Sequence, residues 1–165
     1  MKLQIQKKQV LILFFSLITI NLWPQTFTDS GISLPGVYVG SVAWGDYNND
    51  GYLDILLTGM SDSGPVSKIC KNNGNGTFTE QTDIGLIGVY DGSSAWGDYD
   101  NDGDLDILLT GQSDSEPVSK IYRNNDDNTF TDQTSISLTG VRFSSVAWGD
   151  YDNDGNLDIL LTGTA

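Results

Sequence analysis

The chain is 165 residues long, about the length of one domain, and carries 22 acids against 8 bases, a net charge of −14, with no histidine. That balance excludes the phosphate backbone of a nucleic acid as a partner, because such a partner needs a basic face. The lack of histidine excludes the usual His-based triads and acid/base pairs.

Residues 1 to 25 read as a secretory signal. Lys2, Lys7 and Lys8 precede an apolar run from Val10 to Leu22 that is short for a bilayer span. Trp23, Pro24 and Gln25 make a poor cleavage site, so an uncleaved anchor is the alternative to export. No cysteine follows the run directly, so no lipoprotein attachment point is read there. The only cysteine, Cys70, takes the place of Tyr122 one repeat later, which predicts a buried strand residue and no internal disulfide.

From Thr26 onward the chain is repetitive. Near-identical cores stand at 41–59 (SVAWGDYNNDGYLDILLTG), 93–111 and 145–163, and their first loop acids, Asp46, Asp98 and Asp150, are spaced 52 apart. A fixed period of that size marks a repeat architecture. SVAWGDY and LDILLTG are short, glycine-bounded and of strand length, so each core predicts strand, loop, strand. A polar turn follows at 60–67 (MSDSGPVS) or 112–119 (QSDSEPVS), then a third strand, KICKN or KIYRN. An Asn-rich hairpin turn at 73–76 or 125–128 leads into a fourth strand, TFTEQTDI or TFTDQTSI. Each period is thus a four-stranded antiparallel meander, and the predicted fold is an all-β partial propeller.

The nine-residue loops carry the chemistry. Oxygen side chains stand at positions 1, 3, 5 and 9: Asp46, Asn48, Asp50 and Asp54; Asp98, Asp100, Asp102 and Asp106; Asp150, Asp152, Asp154 and Asp158. Position 6 is always glycine, and position 7 (Tyr52, Asp104, Asn156) would offer a backbone carbonyl. Hard cations such as Ca²⁺ take about six to eight oxygens, which a tight glycine turn can aim at one centre. The pattern starts like an EF-hand loop, but its last acid comes at position 9 and its flanks are strands. Asp, Asn and Gly also favour bare turns. Against that, three copies share one register, and carboxylates gathered so closely repel unless a cation lies between them. Of the 22 acids, three stand in the first loop, five in the second and four in the third, so most of the charge belongs to these loops.

With the loop, the K-I-Y-R-N-N segment and T-F-T-D, the repeat resembles the FG-GAP/VCBS family of integrin α-subunit propellers and secreted bacterial proteins. The family's Phe-Gly is replaced by Val39-Gly40, Asp91-Gly92 and Phe143-Ser144, which favours the bacterial type over integrin-like ligand binding. The resemblance implies Ca²⁺ on the loop residues named above.

Residues 26 to 32 match a fourth strand, two full blades follow, and the third stops after its second strand. Propellers close with about four to eight blades. The expectation is therefore a truncated product, with ring assembly from several chains or an open array able to self-associate through its edges as alternatives. Trp44, Trp96 and Trp148 are expected to wedge between blades. Opposite the metal loops, the connections at Tyr38, Tyr90, Asp91, Arg142 and Phe143 differ most between copies and are candidate ligand-binding residues.

The expected function is a secreted or cell-surface calcium-binding module for adhesion or for recognition of an extracellular protein or glycan, with calcium structural. No nucleic acid and no membrane span after signal cleavage are expected. The alternative is a calcium-dependent, phosphohydrolase-type enzyme. After the signal, however, only Lys68, Lys71, Lys120, Arg123 and Arg142 could meet phosphate, so the chain is read as no enzyme.

Overall fold

The computed structural model describes residues 29–165, which are all-β with no helix. The predicted signal, residues 1–25, lies outside the described residues. The chain divides into two compact units, residues 1–31 and 32–165, and the blades belong to the second. Of the strand expected over 26–32, Thr26, Phe27 and Thr28 lie outside the described residues, and 29–32 are not strand. Asp29 Oδ1 instead accepts the Gly31 amide at 2.9 Å, a local side-chain turn that competes with extended pairing.

Strands β1 (Tyr38–Gly45), β2 (Asp54–Ser61), β3 (Gly64–Asn72) and β4 (Phe78–Glu80) form one antiparallel sheet in chain order. The second sheet repeats it with β5 (Tyr90–Gly97), β6 (Asp106–Gln112), β7 (Pro117–Asn124) and β8 (Phe130–Asp132). A final pair follows, β9 (Arg142–Gly149) and β10 (Asp158–Thr164). These are two propeller-type blades and the first half of a third.

Element boundaries differ from the sequence reading in three places. The polar turn at 60–67 contracts to Asp62–Ser63, because the Ser61 hydroxyl donates to Gly64 O at 2.8 Å and closes it tightly. Ser113 does the same to Glu116 O at 2.7 Å in the second blade. The fourth strands are only three residues long. In the first blade Asp83 takes φ 62°, a turn conformation, and the chain bends in to bury Ile84. In the second the Ile136 amide donates to Gln133 O at 3.0 Å in a turn that leaves Ile136 exposed. The supposed connections at 38–40, 90–92 and 142–144 lie inside the first strands. There Val39-Gly40 bulges opposite Gly59 between the pairs Tyr38↔Met60 and Ser41↔Thr58, and Val39 sits at φ 46°.

The central strands decide where the core lies. Leu56, Ile69, Ile107, Leu109, Tyr122 and Phe130 join one cluster spanning both blades. The DILLTG segments of β2 and β6 are buried on both faces, whereas the same letters in β10 are largely exposed. Identical sequence thus differs in burial only through its neighbours. A leucine moved from water to such a site contributes about 1.5–3 kcal/mol.

Trp96 and Trp148 key their blades to the preceding one, as expected for inter-blade wedges, whereas Trp44 is exposed and among the described residues tilts only against Phe78 of its own blade (6.3 Å). Trp96 stacks on Tyr47 (6.1 Å, 10°) and tilts against Phe130 (6.3 Å); Trp148 stacks on Tyr99 (6.3 Å, 9°). The indole fits because the strand beneath it has glycine: a Cβ on Gly45 would stand 2.6 Å from Trp96 Cδ1, and one on Gly97 2.6 Å from Trp148 Cδ1. Cys70 is buried in β3 with a free thiol, as its repeat position predicts.

Candidate metal centre

Each Asp-rich loop joins the first two strands of its blade, so the pairs Gly45↔Asp54, Gly97↔Asp106 and Gly149↔Asp158 close its base. Loop shape comes from the carboxylates capturing backbone amides. Asp98 accepts from the Asp102 and Gly103 amides, both at 3.0 Å, and Asp102 accepts from the Asp104 amide at 3.0 Å. Asp46 and Asp150 hold their loops in the same way. The glycine allows the reversal, with Gly51, Gly103 and Gly155 at φ 87°, 96° and 88°.

The last acid of each loop is anchored in the sheet. Asp106 is wholly buried, its Oδ2 accepting the Tyr99 amide (3.1 Å) and its Oδ1 the Asn124 amide (2.8 Å) from β7. Asp54 is held likewise by Tyr47 and Asn72. Burial pushes the Asp106 carboxyl from its ordinary 3.8 up to about 6, despite these hydrogen bonds, with Asp100 and Asp102 adding repulsion. Asp54 is raised for the same first reason. Tyr47, buried beneath Trp96, is pushed up to about 12.

The structure brings positions 1, 3 and 9 together. Asp98, Asp100 and Asp106 each place a carboxylate oxygen within 4.8 Å of the others, and so do Asp150, Asp152 and Asp158. In the first loop the matching set is Asp46, Asn48 and Asp54, with an amide oxygen replacing one acid. The position 5 acids lie outside these trios. Asp50 Oδ2 pairs with Lys71 (3.3 Å), and Arg123 bridges Asp100 (2.9 Å) and Asp102 (3.2 Å). Hydrogen bonds from the position 7 amides hold Asp50, Asp102 and Asp154 below the usual carboxylate range, with Lys71 and Arg123 helping in the first two loops. At position 7, Tyr52 lays its ring over Gly74, while the Asp104 and Asn156 side chains face the preceding loop.

Three pairs of contributors escape the loop spacing alone. Asn49 and Asn101, at position 4, take φ 55° and 58° and reach across blades to Asp104 Oδ1 (2.8 Å) and Asn156 Oδ1 (3.5 Å). Their signal was present, since position 4 is asparagine in every copy and asparagine tolerates the left-handed region. Asn72 and Asn124 supply amides to the buried acids and donate side-chain hydrogen bonds to Leu53 O and Leu105 O. Lys71 and Arg123 are internal counter-charges.

The candidate ligand-binding residues share the other end of the first strands. Tyr38, Arg142 and Phe143 are exposed, Tyr90 and Asp91 half-buried, and the Arg142 guanidinium lies 5.3 Å from the Phe143 ring centre. Asp91 and Phe143 are bulge residues at φ 50° and 48°.

Antiparallel four-stranded units, each opening with a strand, an acidic loop and a strand, define a β-propeller-like repeat module. The chain belongs to the FG-GAP-like repeat family, whose family model matches residues 46–109 and again 98–161. Comparison with curated proteins and with solved structures returned no match.

Proposed function

We propose that this chain is a secreted, non-catalytic calcium-binding module in which Ca²⁺ is structural and the opposite rim recognises an extracellular protein or glycan. The observation that carries the reading is the convergence of Asp98, Asp100 and buried Asp106, repeated at Asp150, Asp152 and Asp158. All donors are hard oxygens with no sulfur or imidazole among them, the chemistry of Ca²⁺ or Mg²⁺ sites. A buried carboxylate whose proton affinity is raised by its neighbours is relieved by a cation as well as by a proton. Position 1, 3 and 9 side chains would hold the ion, with the position 7 carbonyls of Tyr52, Asp104 and Asn156 and the position 5 acids Asp50, Asp102 and Asp154 completing the shell. The ion supplies charge neutralisation, which fixes the loop at the base of its blade and stiffens the junction that Asn49 and Asn101 span.

For recognition, the rim of Tyr38, Tyr90, Asp91, Arg142 and Phe143 offers exposed aromatics with one cation, a composition suited to sugar faces or protein side chains. Calcium titration by calorimetry tests the metal reading, with three ions per chain expected and one fewer in Asp106→Asn. Two or fewer ions in the unaltered chain, or no loss in the variant, would overturn the assignment. Calcium-dependent hydrolysis of a generic phosphate ester would instead favour an enzyme.

A further inference from the structure

The first two acidic loops are joined by hydrogen bonds that begin and end at groups proposed to hold calcium. One thread is buried throughout. Asp54 Oδ2 accepts the Tyr47 amide (3.3 Å), Tyr47 O accepts from Asn124 Nδ2 (2.8 Å), and the Asn124 amide donates to Asp106 Oδ1 (2.8 Å). Asp54, Tyr47, Asn124 and Asp106 are each at most 2% exposed, so bulk water does not compete along the path. The last acid of the first loop thus reaches the last acid of the second through three bonds.

The second thread runs at the surface. Asn49 stands between positions 3 and 5 of the first loop and donates from Nδ2 to Asp104 Oδ1 (2.8 Å) and Gly103 O (3.5 Å). Gly103 and Asp104 form the turn of the second loop, where Asp98 and Asp102 accept their amides, and Asp104 is its position 7. Between the second and third loops the matching contacts are looser, with Asn101 Nδ2 at 3.5 Å from both Gly155 O and Asn156 Oδ1.

We propose that Asn49 and Asn124 are positioning residues that couple these two loops, so that calcium in one raises the affinity of the other. The inference rests on the calcium reading above. An ion in the second loop would fix Asp106 and the Gly103–Asp104 turn. Those groups in turn hold Asn124 and Asn49, which fasten the first loop at Tyr47 and between Asn48 and Asp50. The loop that fills later then has less conformational freedom left to lose. Linkage makes the effect equal in both directions. Charge alone gives the opposite sign, because an ion in the second loop weakens the negative potential that draws another to the first. That pull acts between largely exposed acids and is screened at physiological salt, whereas the buried thread is not. Positive coupling is therefore the signature of the hydrogen-bonded path.

Calcium titration of the full chain, labelled with nitrogen-15 glycine and followed by NMR in physiological salt, tests this. The Gly51 and Gly103 amides donate to Asp46 and Asp98, so they report the two loops separately. Asp98→Asn weakens the second loop yet leaves it, when empty, at −4, no less acidic than the filled natural loop at −3. At calcium concentrations where Gly103 of this variant does not yet respond, the Gly51 midpoint is expected to lie at least about fivefold higher than in the unaltered chain. Asn49→Gly keeps the left-handed backbone at φ 55° and every loop acid, and Asn124→Ala removes the buried side-chain donor. In either background the shift caused by Asp98→Asn should fall to less than half, and Asn49→Gly decides the matter should Asn124→Ala not fold. A Gly51 midpoint that Asp98→Asn leaves in place or lowers would overturn the coupling, as would a full shift in Asn49→Gly. Those results leave the calcium reading standing, whereas Gly51 and Gly103 amides that both ignore millimolar calcium would end the two together.

Discussion

Placing a methyl group at Gly45 tests whether blade packing is set by the tryptophan wedge. The added Cβ would stand 2.6, 2.8 and 2.9 Å from Cδ1, Cγ and Nε1 of Trp96. Tyr47 and Phe130 pack against the same indole, so the ring has little room to retreat. Overpacking of this kind costs about 1–3 kcal/mol. The φ of Gly45 is not positive, so alanine brings no backbone strain and stiffens the unfolded chain, worth about 0.4–1 kcal/mol in the other direction. Gly149→Ala supplies the control: the same strand position, the same backbone gain and no atom within 4 Å. The account predicts Gly45→Ala less stable than Gly149→Ala by about 1–3 kcal/mol. Thermal melts followed by circular dichroism, at protein concentrations low enough to keep chains apart, should separate the two by roughly 3–10 °C at this chain length. Gly97→Ala, beneath Trp148, should behave like Gly45→Ala. Equal midpoints for Gly45→Ala and Gly149→Ala would refute the wedge as the source of blade order.

Other expectations follow from the loops and the bulges. Asp106 titrates near 6 folded against 3.8 unfolded, so its contribution is a penalty absent below about 3.8, growing between the two values and complete above 6. In chelator that penalty is at most about 3 kcal/mol at neutral pH, and melts between pH 7 and 5 should show the calcium-induced rise in midpoint shrinking with acid. If the rise is the same at both pH values, Asp106 is not the coupled group. Asn48 gives the first loop one acid fewer than the others, so it should be the weakest calcium site, and Asn48→Asp should tighten it by roughly tenfold in a titration; reversed affinities would remove ligand charge as the cause. Val39 is β-branched, exposed and at φ 46°, so Val39→Asn should stabilise by about 0.5–1 kcal/mol in denaturant melts. A loss of stability there would mean the valine side chain contributes packing that outweighs its strain.

The period of 52, the loop acids, the meander and the wedges at Trp96 and Trp148 are legible in the residues, because each rests on local chemistry repeated in register. Cys70 was placed by its repeat partner alone. The bulge was not legible, since Val39 and Phe143 are residues that disfavour the left-handed region and nothing in their type signals it; only Asp91 tolerates it well. Fourth strands read longer in the sequence because Gln and Thr at 81–82 and 133–134 suit a strand, while in the first blade the turn at Asp83 and the burial of Ile84 depend on the neighbouring blade. By spacing Asp50 and Asp102 are equivalent to the other loop acids, and their pairing to Lys71 and Arg123 is a contact that loop spacing does not encode.

The measurement that bears most directly on the calcium account is a thermal melt of the full chain in millimolar calcium and in excess chelator. The account predicts a higher midpoint with calcium, and ligand at 100 times its dissociation constant adds about 2.7 kcal/mol per filled site. Identical midpoints in the two conditions would contradict it and leave the three loops as bare turns.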